Sequence, residues 1–466
     1  MPKITFMGAG STIFAKSVLG DCMLSEPLKD SHIALYDIDA QRLEDSRMML
    51  ENLNANINDS RATITAHLGP EQRKEALRDA DYAVNAIQVG GYEPATVADF
   101  EIPKKYGLRQ TIADTLGIGS IFRSLRTIPV VLDFCRDMQE VCPDVLFLNY
   151  VNPMAMITGA ILEAGGVKAV GLCHSVQGCA RSLLDRVGMR EQVENLRWKV
   201  AGINHQAWLL EIRDGDKDLY PKIKEIVAER LPRIRKQGAV KVIEQAKADH
   251  GDDWRNEIDA RIAGDMVRLQ LMLKLGYYIT ESTEHMAEYV PWFIKSAHPE
   301  LIDEYAIPLD EYPRRCVRQI AGWEKRREEI VNNAKLSHER THEYGSYIME
   351  SCETGKELRI HGNVLNDGLV TNLPRRACVE VPCLVDFNGV QPVRVGDLPE
   401  QCAAVNRTNV NVQLLTVDAA VTGDRDRVYQ AAMMDPHTAA ELTIDEIVAM
   451  CDDLFEAHSD YLPQFG

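Results

Sequence analysis

Short apolar runs alternate with amphipathic stretches through the first part of the chain. "KITFMGAG" is an apolar run closed by glycines, and "STIFAKSVLGDCML" follows it with helical spacing. "HIALYDI" (His32–Ile38) predicts a second strand and "DAQRLEDSRMMLENLNANI" a charged amphipathic helix. "ATITAHL" (Ala62–Leu68) and "DYAVNAIQ" (Asp81–Gln88) predict strands three and four. "RSLRTIPVVLDFCRDMQEVC" carries helix spacing with an interruption at Pro129. "VLFLNYV" (Val145–Val151) predicts strand five, "AMITGAILEAG" a helix and "KAVGLCHS" strand six. Strands that alternate with helices pair in parallel, so the expected fold class is α/β with a doubly wound sheet.

The pattern changes later. "KDLYPKIKEIVAERLPRIRKQGAVKVIEQAKADHGDDW" is a long charged amphipathic stretch, expected to be helical and to project from the core with a solvated face. Leu269–Gly276 reads as a helix, "CVEVPCLVD" alternates as a strand, and the two final apolar-periodic stretches read as helices. The last of these has caps at Thr443 and Asp445.

The first turn carries candidate chemistry. Gly8-Ala9-Gly10-Ser11-Thr12 follows strand one and opens a helix. Glycines at positions 8 and 10 permit a tight turn, and the helix N-terminus offers N–H groups to a pyrophosphate. Asp37 closes strand two, where a carboxylate can accept from a ribose hydroxyl and repel a 2′-phosphate, favouring NAD over NADP. Ile13 stands where the third glycine of the fingerprint belongs. Taken alone, this GxG is equally a structural turn. Open parallel sheets bind ligands beyond the carboxyl ends of their strands. Those ends hold "QVGG" from Gln88, "NYVNP" with Asn152 before Pro153, and "CHS", which starts at Cys173.

Composition narrows the classes. A chain of 466 residues suits two domains at about 100–200 residues each. The expected division is 1–196 for a nucleotide-binding domain and 197–466 for a substrate- and metal-binding domain. The 11 cysteines are scattered without a CxxC pair, the usage of a reducing compartment. No apolar run reaches the ~18 residues of a membrane span, and "MPKITFMGAG" lacks a signal layout, so a cytoplasmic protein is expected. A formal charge of −18 argues against nucleic acid and anionic membranes as partners.

Seven segments together resemble one family: "ITFMGAGSTIFAKSVLGD", "GGYEP", "TIADTLGIGSIFRSLRTIP", "NYVNPMAM", "GLCHSVQG", "AGINHQAW" and "DPHTAA". They are similar to the family-4 glycoside hydrolases over nearly the whole chain. "CHSV", "GYYITESTEHMAEYVPWFIK", "GNVLNDGLVTNLP" and "CLVDFNGVQP" look most like the α-galactosidase branch. The phospho-glycosidase branch has an aspartate after the metal-binding cysteine. This chain has His174, which argues for an unphosphorylated sugar.

The resemblance implies a fold like lactate and malate dehydrogenases, with NAD and a divalent metal, usually manganese, as cofactors. It implies hydrolysis of an α-galactoside by oxidation at sugar carbon 3, proton removal at carbon 2, elimination from carbon 1, addition of water and reduction, outside the paired-carboxylate scheme. Its metal ligands fall on Cys173 and His205. A thiolate with an imidazole suits a transition metal with open positions. His205 lies in "WKVAGINHQAW", which reads as the first strand of the second half; alone it would be a core histidine. Gly8, Gly10, Ser11, Thr12, Asp37 and Gln88 are the expected cofactor contacts. Asn152 and Arg123 are the expected substrate contacts, and Arg126 either joins them or pairs with an acid. Expected acid–base groups are His174, Asp114 and Asp265, with Tyr278 and Tyr289 as alternatives for the base. The expected partners are a small α-glycoside and further copies of this chain in a dimer or tetramer. A different activity of the same family, or a 2-hydroxy acid dehydrogenase of the same fold, are the competing readings.

Overall fold

A computed structural model describes all residues, 1–466. Six short strands form the parallel half of its sheet: β1 (Lys3–Met7), β2 (His32–Asp37), β3 (Thr63–Leu68), β4 (Tyr82–Asn85), β5 (Leu146–Asn149) and β6 (Lys168–Gly171). Their order is β3-β2-β1-β4-β5-β6, all parallel. β1 and β4 are apolar and almost wholly buried, as strands covered by helices on both faces must be. The order reverses between β1 and β4, so a crevice opens beyond their carboxyl ends.

The rest of the sheet comes from the second half of the chain. β7 (Leu196–Ile203) and β8 (Gln206–Asp214) form a hairpin, and β9 (Lys217–Asp218) and β10 (Tyr278–Ile279) both pair with β8. β11 (Leu358–Leu365), β12 (Cys378–Asp386) and β13 (Gly389–Pro392) follow. β11 joins the edge of β6 through Asn363 opposite Gly171, β12 pairs with β11, and β12 meets β7 through Glu380 opposite Gly202. One continuous sheet therefore crosses the expected 196/197 boundary, and its seam runs through Gly171, Asn363, Glu380 and Gly202. Both ends of that seam lead into the site: Cys173 lies two residues past Gly171, and His205 three past Gly202.

Two sequence expectations change. The helix Ile118–Val141 runs unbroken through Pro129. The charged stretch after β9 does not project. It forms the helices Tyr220–Gln237 and Ala239–His250, and the first buries Tyr220, Ile223, Val227, Leu231 and Ile234. Their 3- and 4-residue spacing draws one apolar stripe down the helix, and burying it outweighs the charge on the opposite face. The final helix, Ile444–Ala457, starts as expected at Thr443, which forms a capping box with Glu446.

The segment before the helix Tyr344–Thr354 crosses back over the first helix, Thr12–Leu24. Asp21, fully buried on that helix, accepts from His338 Nε2 at 2.7 Å and from the Thr341 N–H and hydroxyl at 2.8 and 2.6 Å. This strap brings Glu343 to the edge of the crevice.

Candidate active site

The glycine turn is built for close approach. Gly8 has φ +87°, and a Cβ there would lie 2.7 Å from the backbone carbon of Ala86 at the end of β4. Gly10 N–H donates to Asp37 Oδ2 at 2.6 Å. Asp37 Oδ1 accepts from the N–H groups of Ile38 and Asp39 at 2.8 and 2.9 Å. The acid that ends β2 is thus fixed against the first turn. Ser11 is exposed at the start of the helix, whereas Thr12 is buried and bonds Ser46 Oγ at 2.9 Å, joining the first two helices. Ile13 lines a cleft of about 750 Å³ that runs from Gly10 to Arg315, Arg318 and Arg326 on the helices Glu311–Ala321 and Trp323–Ile330. Gln88 stands at the end of β4, its amide 3.5 Å from Thr96 Oγ1.

Deeper in, Cys173 Sγ lies 3.3 Å from His205 Nε2. Glu281 Oε2 is 3.9 Å from the same nitrogen. His285 stands edge-on to His205 with ring centres 5.0 Å apart, and its Nε2 is 3.7 Å from Asp114 Oδ1. Two overlapping sets result, Cys173–His205–Glu281 and Asp114–His205–His285, each with its donor atoms within 4.8 Å of one another. His205 occupies the two-residue turn between β7 and β8 rather than a strand. It takes φ +61°, Glu281 takes +69°, and Ala113, next to Asp114, takes +53°. Left-handed backbone at three non-glycine residues around one point is strain that the surrounding packing must hold.

The charges of this cluster do not balance. Burial alone would depress the His205 imidazole, yet Cys173, Glu281 and Asp114 raise it to about 10. Burial pushes the Asp114 carboxyl up, and His285 with His205 pulls it well below the usual carboxylate range. Glu281 is lowered in the same way, its burial outweighed by His205 and His285. A half-buried thiol and two half-buried carboxylates around two buried imidazoles form a pocket that favours a cation. The mixed sulfur, nitrogen and oxygen donors, close enough to share one ion, fit a divalent transition metal.

Asn152 and Arg123 connect the rest. Asn152 Nδ2 donates to Asp114 Oδ2 at 3.2 Å, and its carbonyl accepts from Arg123 Nε at 3.1 Å. Arg123 also reaches the Tyr312 hydroxyl at 3.3 Å. Arg126 is instead locked to buried Asp99 by two bonds of 3.0 and 2.6 Å, which favours its ion-pair reading. His174 stands just before the helix Ser175–Arg186, and its Nε2 pairs with Glu343 Oε2 at 2.7 Å. That hydrogen bond raises the imidazole above its ordinary value, against the effect of burial.

Asp265 is not brought into the cluster. It is fully buried and accepts from Arg268 Nε at 2.7 Å, the Tyr278 hydroxyl at 2.5 Å and Thr283 Oγ1 at 3.1 Å. Arg268 in turn donates to the Glu281 carbonyl, so this acid supports the cluster from behind. Tyr289, also buried, has a hydroxyl with no partner and packs edge-on to His285 at 5.9 Å.

Sequence reasoning missed Glu281, His285, Glu288 and Glu343. Glu281 and His285 stand four apart in the quoted "TESTEH", a spacing that could have marked a shared face. Glu288 gave no signal. It is buried and accepts from the N–H groups of Thr111, Ile112 and Ala113 at 2.7, 3.2 and 2.8 Å, which shapes the loop that carries Asp114. Burial pushes it up to about 7 against those three bonds.

Residues 3–189 match the model of the family 4 glycosyl hydrolases, and residues 200–438 match that of the family 4 glycosyl hydrolase C-terminal domain. The chain belongs to the family 4 glycosyl hydrolases, and is a glycosidase. It is 56% identical over 465 residues to an α-galactosidase of Bacillus subtilis (strain 168), covering all of both chains. It is 34% identical over 476 residues to an α-galactosidase of Rhizobium meliloti (strain 1021), covering all of this chain and 90% of the other. A 6-phospho-α-glucosidase from gut microorganisms, solved in complex with NAD and Mn2+, shares the fold with a TM-score of 0.75 at 19% identity, over the full length of both. No helix is long and apolar enough to cross a membrane.

Proposed function

We propose that this glycosidase hydrolyses α-galactosides with NAD and a divalent metal such as Mn2+. The observation that carries the reading is the pair Cys173 and His205, 3.3 Å apart in a partly buried pocket with the carboxylates of Glu281 and Asp114 beside it. The 56% identity to an α-galactosidase along the whole chain supports the sugar. His174, in place of an aspartate, supports an unphosphorylated one.

In this reading residues 1–196 hold the nucleotide, and residues 197–466 complete the substrate and metal site. Gly8 and Gly10 let the pyrophosphate approach the backbone, with Ser11 at the helix N-terminus beside it. Thr12 acts by holding that helix to the next. Asp37 presents its carboxylate to the ribose diol and disfavours a 2′-phosphate. Gln88 closes the cleft from β4. When bound, NAD would supply a hydride acceptor and donor and the metal a Lewis acid for sugar oxygens.

The remaining work belongs to side chains of this chain. Cys173 and His205 would hold the metal, with Glu281 completing the set from the left-handed turn. Asn152, oriented by Asp114 and Arg123, offers its amide to sugar hydroxyls. Asp114 keeps a negative charge beside His285, which holds that ring's orientation. His174, kept protonated by Glu343, donates its proton to the departing glycosidic oxygen. Removal of the carbon 2 proton would fall to Tyr289 as its phenolate. Burial and the neighbouring carboxylates raise that hydroxyl well above its ordinary value, so the phenolate would need a cation in the adjoining pocket to form. Asp265 serves as a positioning residue through Arg268.

A panel of nitrophenyl glycosides, assayed with NAD and Mn2+ added singly and together, tests the reading. Release is expected from the α-galactoside only, and only with both cofactors. Preference for an α-glucoside or α-galacturonide would move the chain to another activity of the family. Accumulation of NADH in the bulk would favour a dehydrogenase.

A further inference from the structure

Behind the Cys173–His205 pair, four buried side-chain atoms have no hydrogen-bond partner: Asn204 Oδ1, His205 Nδ1, Asn363 Oδ1 and Glu380 Oε2. Asn204, Asn363 and Glu380 are fully buried, and His205 nearly so. Buried polar atoms left unpaired are costly, so four of them on neighbouring residues of one seam call for partners.

The group sits on the seam of the sheet. Glu380 of β12 lies opposite Asn363 of β11 on one side and Gly202 of β7 on the other. Its Oε1 accepts from Asn204 Nδ2 at 3.4 Å and from Asn363 Nδ2 at 3.3 Å, which leaves Oε2 free. Asn363 Nδ2 also donates to the Gly171 carbonyl at 3.2 Å, two residues before Cys173. A side chain at position 171 would displace this amide, because a Cβ there would lie 2.9 Å from Asn363 Cβ. One carboxylate is thus tied through two amides to both segments that carry the proposed ligands.

His205 gives the group its direction. Its Nε2 faces Cys173, so Nδ1 faces the interior, and His205 is the ionisable group whose charge Glu380 feels most. No direct bond joins the two. The unpaired set holds both a donor and several acceptors, the polar partners an ordered water needs.

We propose that Glu380 is a positioning residue for His205 and acts through ordered water bound between His205 Nδ1, Glu380 Oε2 and the free amide oxygens of Asn204 and Asn363. The water accepts from Nδ1–H and donates to Oε2. The imidazole proton is thereby kept on Nδ1, and the Nε2 lone pair stays directed at the cation pocket. A carboxylate behind a ligating histidine fixes its tautomer and ring orientation and strengthens its donation to the metal. The inference rests on the reading of Cys173 and His205 as metal ligands.

The test uses the full-length, metal-free protein and Co2+ alone, followed by the thiolate-to-cobalt absorption band, with no substrate present. In Glu380→Gln, Co2+ affinity should fall by about 10–100-fold, while NAD affinity measured by calorimetry stays as in the parent. Equal Co2+ affinity in the two proteins would overturn the role of Glu380 and leave the ligand assignment standing. Absence of the thiolate band in the parent would overturn both. Should Glu380→Gln not fold, a high-resolution crystal structure of the parent decides. A solvent peak within hydrogen-bond distance of both His205 Nδ1 and Glu380 Oε2 supports the inference, and a dry gap there contradicts it.

Discussion

At the scale of single residues, the site is a set of donors whose charges need a cation. Cys173→Ser and His205→Ala should each lower activity by more than about 100-fold, with NAD binding unchanged, because the cluster and the glycine turn are separate. Calorimetric titration with NAD beside the glycosidase assay checks this, and full activity of Cys173→Ser without added metal would remove the metal from the account. The base can be separated from its support in the same way. Tyr289→Phe should abolish turnover with little change in Tm, since its hydroxyl bonds nothing. Asp265→Asn should lower Tm by an amount that reflects about 3–5 kcal/mol, because it leaves the buried Arg268 without its charge partner. Undiminished turnover in Tyr289→Phe would remove this tyrosine as the base. Asp37 and Asn152 could be singled out in the sequence because each ends an apolar strand run or stands beside one, whereas Cys173 and His205 stood out only through the family resemblance. Glu281 and His285 were not legible, because what brings them to His205 is a left-handed turn and a contact between segments about 75 residues apart.

At the scale of elements, the strap that ends in Glu343 depends on Asp21. Burial pushes the Asp21 carboxyl up, but hydrogen bonds from His338 and Thr341 outweigh it and hold it below the ordinary carboxylate range. A carboxyl lowered in the folded state contributes stability that is complete above its ordinary range and is lost as pH falls through the lowered value. Asp21→Asn should therefore cost about 3 kcal/mol at neutral pH, and the gap in Tm between it and the parent should close on acidification. Thermal scans from neutral to acidic pH measure this, and a gap that widens in acid would contradict it. The helices and strands themselves were largely legible, since periods of 2 and 3.6 are local properties of the chain. The strap was not. Its residues have no strong period, and its anchors lie far off in the sequence, Asp21 about 320 residues away among them.

For the whole molecule, the parallel half could be read from the sequence and the join between the halves could not. Alternation of strand and helix fixes parallel pairing, but nothing local tells β11 to bond β6 or Glu380 to meet Gly202. That join is what sets Cys173 beside His205. It gives the central claim its shape: one sheet presents a dinucleotide turn and a cation pocket to the same sugar, so that the sugar is oxidised, loses a proton and is restored. The most direct test is hydrolysis of an α-galactoside in heavy water, with NMR of the released galactose. Deuterium should appear on carbon 2, where a base removes the proton and solvent returns one, while carbon 3 keeps its own hydrogen because the hydride leaves and comes back on the same cofactor. Galactose with ordinary hydrogen at carbon 2 would mean direct displacement at the anomeric carbon and would contradict the account.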